Sequence, residues 1–326
     1  MPSSPATIKT RILILADTHN APLLDLSSVD ATHAHAHRRT KPFRAPLPRS
    51  DVLLHCGDLT MLGHPHEYAG ALAMLAAVDA PLKLVIAGNH DMTLDADFYL
   101  HTPHARRWHR DKYDPDLPRR AREMWTGEAA RRAGVTYLDE GVREFVLANG
   151  ARLKVYASPW QPEFQNWAFN YPHNEDRWNP PHLSHKDARN TAENPDRLDA
   201  TKNGNVGCPH LLRAVARARP RLHAWGHIHE AWGVERVDWL TPTSDSDAEQ
   251  GQNGGDGFVE MVETIKFDDS AVAEKHAAFV DVSSDGRAAL KVGEQTLMVN
   301  ASIMDLQYNP YNAPVLVDLD LRKAYE

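Results

Sequence analysis

Four apolar runs in this chain each break off into a short polar motif, and this repeated punctuation constrains the fold most. RILILA at 11–16 leads into Asp17-Thr18-His19, and DVLLHC at 51–56 into Gly57-Asp58. LKLVIAG at 82–88 leads into Asn89-His90-Asp91, and PRLHAWG at 220–226 into His227-Ile228-His229. Short apolar runs bounded by turn residues read as buried strands. Between the second and third, Tyr68, Leu72, Leu75 and Val78 recur at helical spacing over 65–79, and Pro65 suits a first turn. Strand, helix and strand with short connections predict an α/β architecture, a sheet covered by helices. Ligand crevices of such sheets open beyond the carboxyl ends of the strands. The four motifs can therefore be gathered at one place.

Singly, each motif is weak, because an Asp after a strand usually caps a turn and a lone His is usually structural. As a set they offer carboxylate, imidazole and carboxamide donors, which suit Mn2+, Fe, Zn2+ or Ni2+; there is no cysteine cluster to make a thiolate site. Asp58 has two oxygens and can bridge two ions. Paired ions can activate a water and hold phosphoryl oxygens. Gly88-Asn89-His90-Asp91 lacks the ending of a phosphate-binding P-loop.

The order DxH, GD, GNHD, GHxH resembles the calcineurin-like metallophosphoesterase superfamily. More narrowly, the chain is similar to the metallophosphoesterase-domain-containing proteins of animals and their fungal relatives. That similarity rests on ASPWQPEFQNWAFNY at 157–171, VGCPHLLRAV at 206–215, PRLHAWGHIHEAWG at 220–233 and Val299-Asn300-Ala301-Ser302. The resemblance implies two packed β-sheets flanked by helices, with irregular insertions. It implies a metal-dependent phosphoric ester hydrolase, acting on a small phosphorylated substrate such as a phosphodiester. One or two divalent ions per chain, Mn2+ or Fe/Zn, would be the cofactors. Asp17, His19 and His229 would hold the first, Asn89 and His227 the second, with Asp58 between them. His90 would bind phosphate or protonate the leaving oxygen, and Asp91 would orient the His90 ring. The family has one further histidine, on a Thr-His-Gly-Pro-Pro type strand end. Nothing of that kind stands between Tyr171 and Val206, and the alternative reading is a metal- or phosphate-binding protein with weak or no catalysis. His173, His182, His185 and His210 are the nearby substitutes, His185 foremost.

The rest of the chain sets boundaries. Residues 11–320 read as one domain between tails at 1–10 and 321–326. Insertions fall at 21–50, with the alternating His33, His35 and His37, at 172–206 and at 241–257. Asn149-Gly150 predicts a hairpin turn. Trp160, Trp167, Phe169 and Trp178 can line a pocket or simply pack. A net charge of −8 and a pI near 6.2 give no general attraction to nucleic acid or anionic membrane. No run is long enough to span a bilayer. Cys56 and Cys208 form no CxxC pattern, which fits a reducing compartment. The expectation is a cytoplasmic protein, with the nucleus equally open to it.

Overall fold

The computed structural model describes residues 6–23, 42–179, 197–202, 204–240 and 258–325. Most of the three expected insertions, with His33, His35, His37, His182 and His185, lies outside the described residues. Six strands make the central sheet: β1 (Thr7–Leu15), β2 (Val52–Cys56), β3 (Leu82–Ile86), β4 (Val135–Tyr137), β10 (Ala278–Asp281) and β12 (Val315–Arg322). Their order is β10-β12-β1-β2-β3-β4. Strands β1 to β4 run parallel, and β12 lies antiparallel to β1. In β1, Leu13 and Leu15 face one side while Ile12 and Ile14 face the other, all essentially buried. A strand covered on both faces must be apolar throughout, which is why RILILA does not alternate.

The β1–β12 ladder runs from Thr7 opposite Arg322 to Ile14 opposite Val315. Regular pairing therefore begins before residue 11 and continues past residue 320. One face of the sheet is covered by α1 (Pro65–Ala76), α4 (Leu117–Thr126) and α5 (Glu128–Arg132). Their Tyr68, Leu72, Leu75, Trp125 and Ala130 pack on Leu13, Leu15, Leu53 and Val85. Helix α1 stops at Ala76, yet Val78 stays buried in the turn that follows. Two short helices, α2 (Ala96–His101) and α3 (Pro103–His109), follow β3.

The opposite face carries a hairpin and a second sheet. The hairpin is β5 (Gly141–Val146) with β6 (Arg152–Ala157). At its turn Gly150 takes a φ of +85°, and the Asn149 side chain accepts from the Ala151 N–H at 3.0 Å. The second sheet comprises β7 (Leu222–Trp225), β8 (Gly233–Trp239), β9 (Val259–Thr264) and β11 (Gln295–Asn300), in the order β7-β11-β8-β9. Val234, Leu297 and Val299 meet Ile12, Ile14 and Val317 between the sheets. Helix α6 (Pro209–Ala218) lays Leu212 and Val215 on the outer side, against Val237, Trp239 and Met298. The result is two packed sheets flanked by helices, and β1, β2, β3 and β7 end in the polar motifs.

Candidate metal centre

The backbone turns sharply at each strand end. Asp17, His19, Asp58 and His227 all take positive φ, at 53°, 43°, 52° and 72°. Such left-handed conformations cost a non-glycine residue about 1–3 kcal/mol each and persist only where the surroundings fix them. Here the Asp17 N–H donates to the Gly57 carbonyl and the His19 N–H to that of Asp58, both at 3.0 Å. Two glycines allow the loops to close. A Cβ on Gly226 would lie 2.1 Å from an Asp17 carboxylate oxygen, and one on Gly88 would lie 2.3 Å from Asp58 Oδ1.

The donor atoms converge. His19 Nε2 lies 3.3 Å from His229 Nε2 and 3.9 Å from Asp58 Oδ2, and His229 Nε2 lies 3.6 Å from Asp17 Oδ1. His227 Nδ1 is 2.8 Å from Asn89 Oδ1, while its N–H donates to both Asp17 oxygens at 2.9 Å. The His90 N–H donates to Asp58 Oδ1 at 2.8 Å. Two overlapping sets, Asp17-His19-His229 and His19-Asp58-His90, place one donor atom each within 4.8 Å of the others.

Tautomers sharpen this picture. His19 Nδ1 meets the Thr60 carbonyl at 2.9 Å, His90 Nδ1 that of Met61 at 2.9 Å, and His229 Nδ1 that of Asp305 at 3.1 Å. A carbonyl only accepts, so each Nδ1 carries its hydrogen and each neutral ring turns an Nε2 lone pair inward. Two facing lone pairs beside two carboxylates require positive charge between them.

The titration shifts follow this arrangement. Burial lowers His229, but its hydrogen bond and attraction to Asp17 outweigh that, so its pKa is raised. Burial lowers His19 to about 3, helped by His90; it also lowers His90 and His227 to about 4 each. Burial pushes Asp17 up, yet His229, His19 and His227 hold it well below the usual carboxylate range. Asp58 is raised well above that range by burial and then by Asp17 and Asp91. Asp17 thus favours a proton on His229, which would supply positive charge between the facing groups. A divalent cation fits the same donors better, since it satisfies several lone pairs together.

Asp91 is placed differently from the expectation. Its buried carboxylate accepts from the N–H groups of Gly88 at 2.8 Å, Leu59 at 3.1 Å and Thr60 at 3.0 Å, and from the Thr60 hydroxyl at 2.7 Å. It ties the loop after β3 to the loop after β2, and the Met61 carbonyl takes the His90 ring nitrogen instead. Burial pushes its pKa up to about 7, against the pull of those four hydrogen bonds. Neither of the two described substitute histidines belongs to either donor set. His173 bonds the Glu163 carbonyl, and His210 sits 3.2 Å from Asp176.

Other neighbours carry no motif. The Tyr308 ring lies 4.9 Å from His19, 5.2 Å from His229 and 6.0 Å from His90. Trp167 stacks on His90 at 4.0 Å, and Trp108 stacks on Trp167 at 5.3 Å. Trp160 meets Phe169 edge-on and Trp178 meets Tyr171, and Trp160 and Trp178 also line a cavity.

The family model described as calcineurin-like phosphoesterase matches residues 10–231. Metallophosphoesterase domain-containing protein 1 of Homo sapiens is 35% identical over 207 residues, 61% of this chain and 59% of that protein; its Mus musculus counterpart gives the same figures. A UPF0046 protein of Caenorhabditis elegans is 30% identical over 212 residues, 57% of this chain and 48% of the relative. The chain thus spans under two thirds of the length of these relatives. No helix among the described residues is long and apolar enough to cross a membrane.

Proposed function

This chain belongs to the calcineurin-like phosphoesterase family, and from that premise we propose that it is a metal-dependent hydrolase of small phosphoric esters, phosphodiesters among them. The observation that carries the reading is the meeting of His19 and His229 Nε2 beside Asp17 and Asp58, at a buried point that calls for positive charge. In this reading Asp17, His19 and His229 hold a first divalent cation, Asn89 and His227 a second, and Asp58 is shared. Bound cations polarise phosphoryl oxygens and lower the pKa of water. The chain itself fixes the rings through backbone carbonyls, so little reorganisation is needed when charge arrives. His90 is neutral without substrate, because burial disfavours its cation. A phosphoryl group beside it reverses that preference and favours a protonated ring. The proton can then pass to the leaving oxygen.

The test is turnover of bis(para-nitrophenyl) phosphate by chain stripped of metal and then reloaded with Mn2+. We expect nitrophenol release only after reloading. A second reading, metal or phosphate binding with little turnover, draws on Asn89 and His227, which pair with each other and gain no further imidazole among the described residues. Full metal loading without nitrophenol release would select it.

A further inference from the structure

Two strand edges face each other across a cavity of about 1350 Å3. Among the described residues β6 pairs only with β5, and β7 pairs only with β11. Side chains along both strands line this one cavity. Its floor is the central sheet, through Ile12, Leu54 and Ile86, and its wall is α6, through Leu212 and Val215.

The free edges can be read residue by residue. In the hairpin, the Leu147 N–H donates to the Ala151 carbonyl. Hydrogen-bonded pairs recur at every second position of an antiparallel ladder. Leu153, Val155 and Ala157 therefore turn their backbone groups to β5, and Lys154 and Tyr156 turn theirs to the cavity. In β7 the Arg221 and Trp225 carbonyls accept from the N–H groups of Leu297 and Ala301. Leu222 and Ala224 thus aim their N–H and carbonyl groups at the same cavity.

The two strands start at one end, near the close of β12. Ala151 bridges to Lys323, and Arg322 acts electrostatically on Arg221. Arg221, Arg322 and Lys323 gather a net cationic charge there, with the single carboxylate of Asp320 also acting on Arg221, and Arg221 Nε is buried without a hydrogen-bond partner. The other end of the cavity opens beside Asp17, Asn89 and His227.

We propose that the slot between β6 and β7 accepts an extended peptide strand from a partner protein, apolar on both faces for about six residues and preceded by acidic ones. An aliphatic chain would fill the volume yet leave the edge N–H and carbonyl groups of both strands unpaired. A strand satisfies both edges at once. The wall and floor demand apolar side chains on either face. The cationic end sets the direction, with the acidic residues toward Arg221 and Arg322. This site is independent of the hydrolase reading.

The probe is the peptide Asp-Asp-Val-Val-Leu-Val-Val-Thr, fluorescently labelled and titrated into the full chain. We expect saturable binding, with slowed hydrogen exchange at the amides of Lys154, Tyr156, Leu222 and Ala224. The same peptide N-methylated at every bond should not bind, because it lacks the donors for both edges. Arg221→Glu with Arg322→Glu should weaken binding by about tenfold or more, and Lys323→Glu serves if that double variant misfolds. Equal binding of the methylated peptide, or full competition by oleate, would show an apolar cavity without strand pairing and overturn the proposal. Protection confined to other strands, or no binding up to the solubility limit, would also overturn it.

Discussion

Asp58 and Asn89 stand on neighbouring loops, but they differ in charge and reach. Asp58 belongs to the second donor set, with Oδ1 held by the His90 N–H and Oδ2 directed at His19, the residue common to both sets. Asn89 is neutral and touches His227 alone among the imidazoles. Asp58→Ala should therefore cost more bound metal per chain than Asn89→Ala, read by elemental analysis after gel filtration. Parent-like metal content in Asp58→Ala would remove it from the centre. His90 makes a different prediction, since the Met61 carbonyl fixes its Nδ1 and, in the proposed reading, its Nε2 serves the phosphoryl group. His90→Asn should keep the metal and lose turnover, by about 10²–10⁴-fold where protonation of the leaving group matters. The loss should shrink for a nitrophenyl ester and grow for an alkyl ester. Equal losses for both esters would make His90 a phosphate binder only.

At the scale of elements, the loops after β2 and β3 behave as one unit because Asp91 bonds across them. Asp91→Ala would leave three N–H groups without their acceptor and the Thr60 hydroxyl with only the His90 carbonyl at 3.4 Å. Each buried orphan costs about 1–3 kcal/mol, so thermal stability should fall clearly, with metal content falling alongside. Were Asp91 chiefly an orienter of His90, activity would drop while the melting temperature held. This role was not legible in the sequence: adjacency to His90 suggested a ring contact, whereas the turn at 88–91 points the carboxylate back at Leu59 and Thr60. The strand-end donors were legible, because β1, β2, β3 and β7 are buried apolar runs and polarity can begin only where they stop. The two-sheet architecture followed from the motif resemblance more than from periodicity, since both faces of β1 are covered and no alternation shows. Tyr308 was invisible for another reason. It reaches the centre from a loop between β11 and β12 that has no period and no motif, and only the packing of the two sheets brings it there.

For the whole molecule, the centre links metal, protons and stability. His55 is buried, with Nε2 on the Thr18 hydroxyl at 2.9 Å, and burial lowers it to about 4. With His19, His90 and His227 also depressed, the unfolded chain takes up protons first as pH falls below the ordinary histidine value of about 6.5. Metal-free protein should therefore lose stability from about pH 6.5 down toward 4, a melting temperature falling steadily across that window. His229 works in the opposite sense. Its raised pKa adds stability below 6.5 that is lost as pH rises through the folded value, and the raised Asp58 and Asp91 add stability as pH falls toward 4, but these three are outnumbered by the four depressed rings. A cation must displace the His229 proton, whereas the depressed rings are already neutral. Binding of the first Mn2+ at pH 6.5 should thus release about one to two protons, from His229 and Asp58, measured by calorimetry in buffers of different ionisation enthalpy. The melting temperature should rise in the same titration, since a ligand at a hundred times its Kd adds about 2.7 kcal/mol. Release of more than two protons would mean that His19 or His90 is charged in the free protein. Release of none, together with an unmoved melting temperature, would mean that the His19–His229 contact is not where the cation binds.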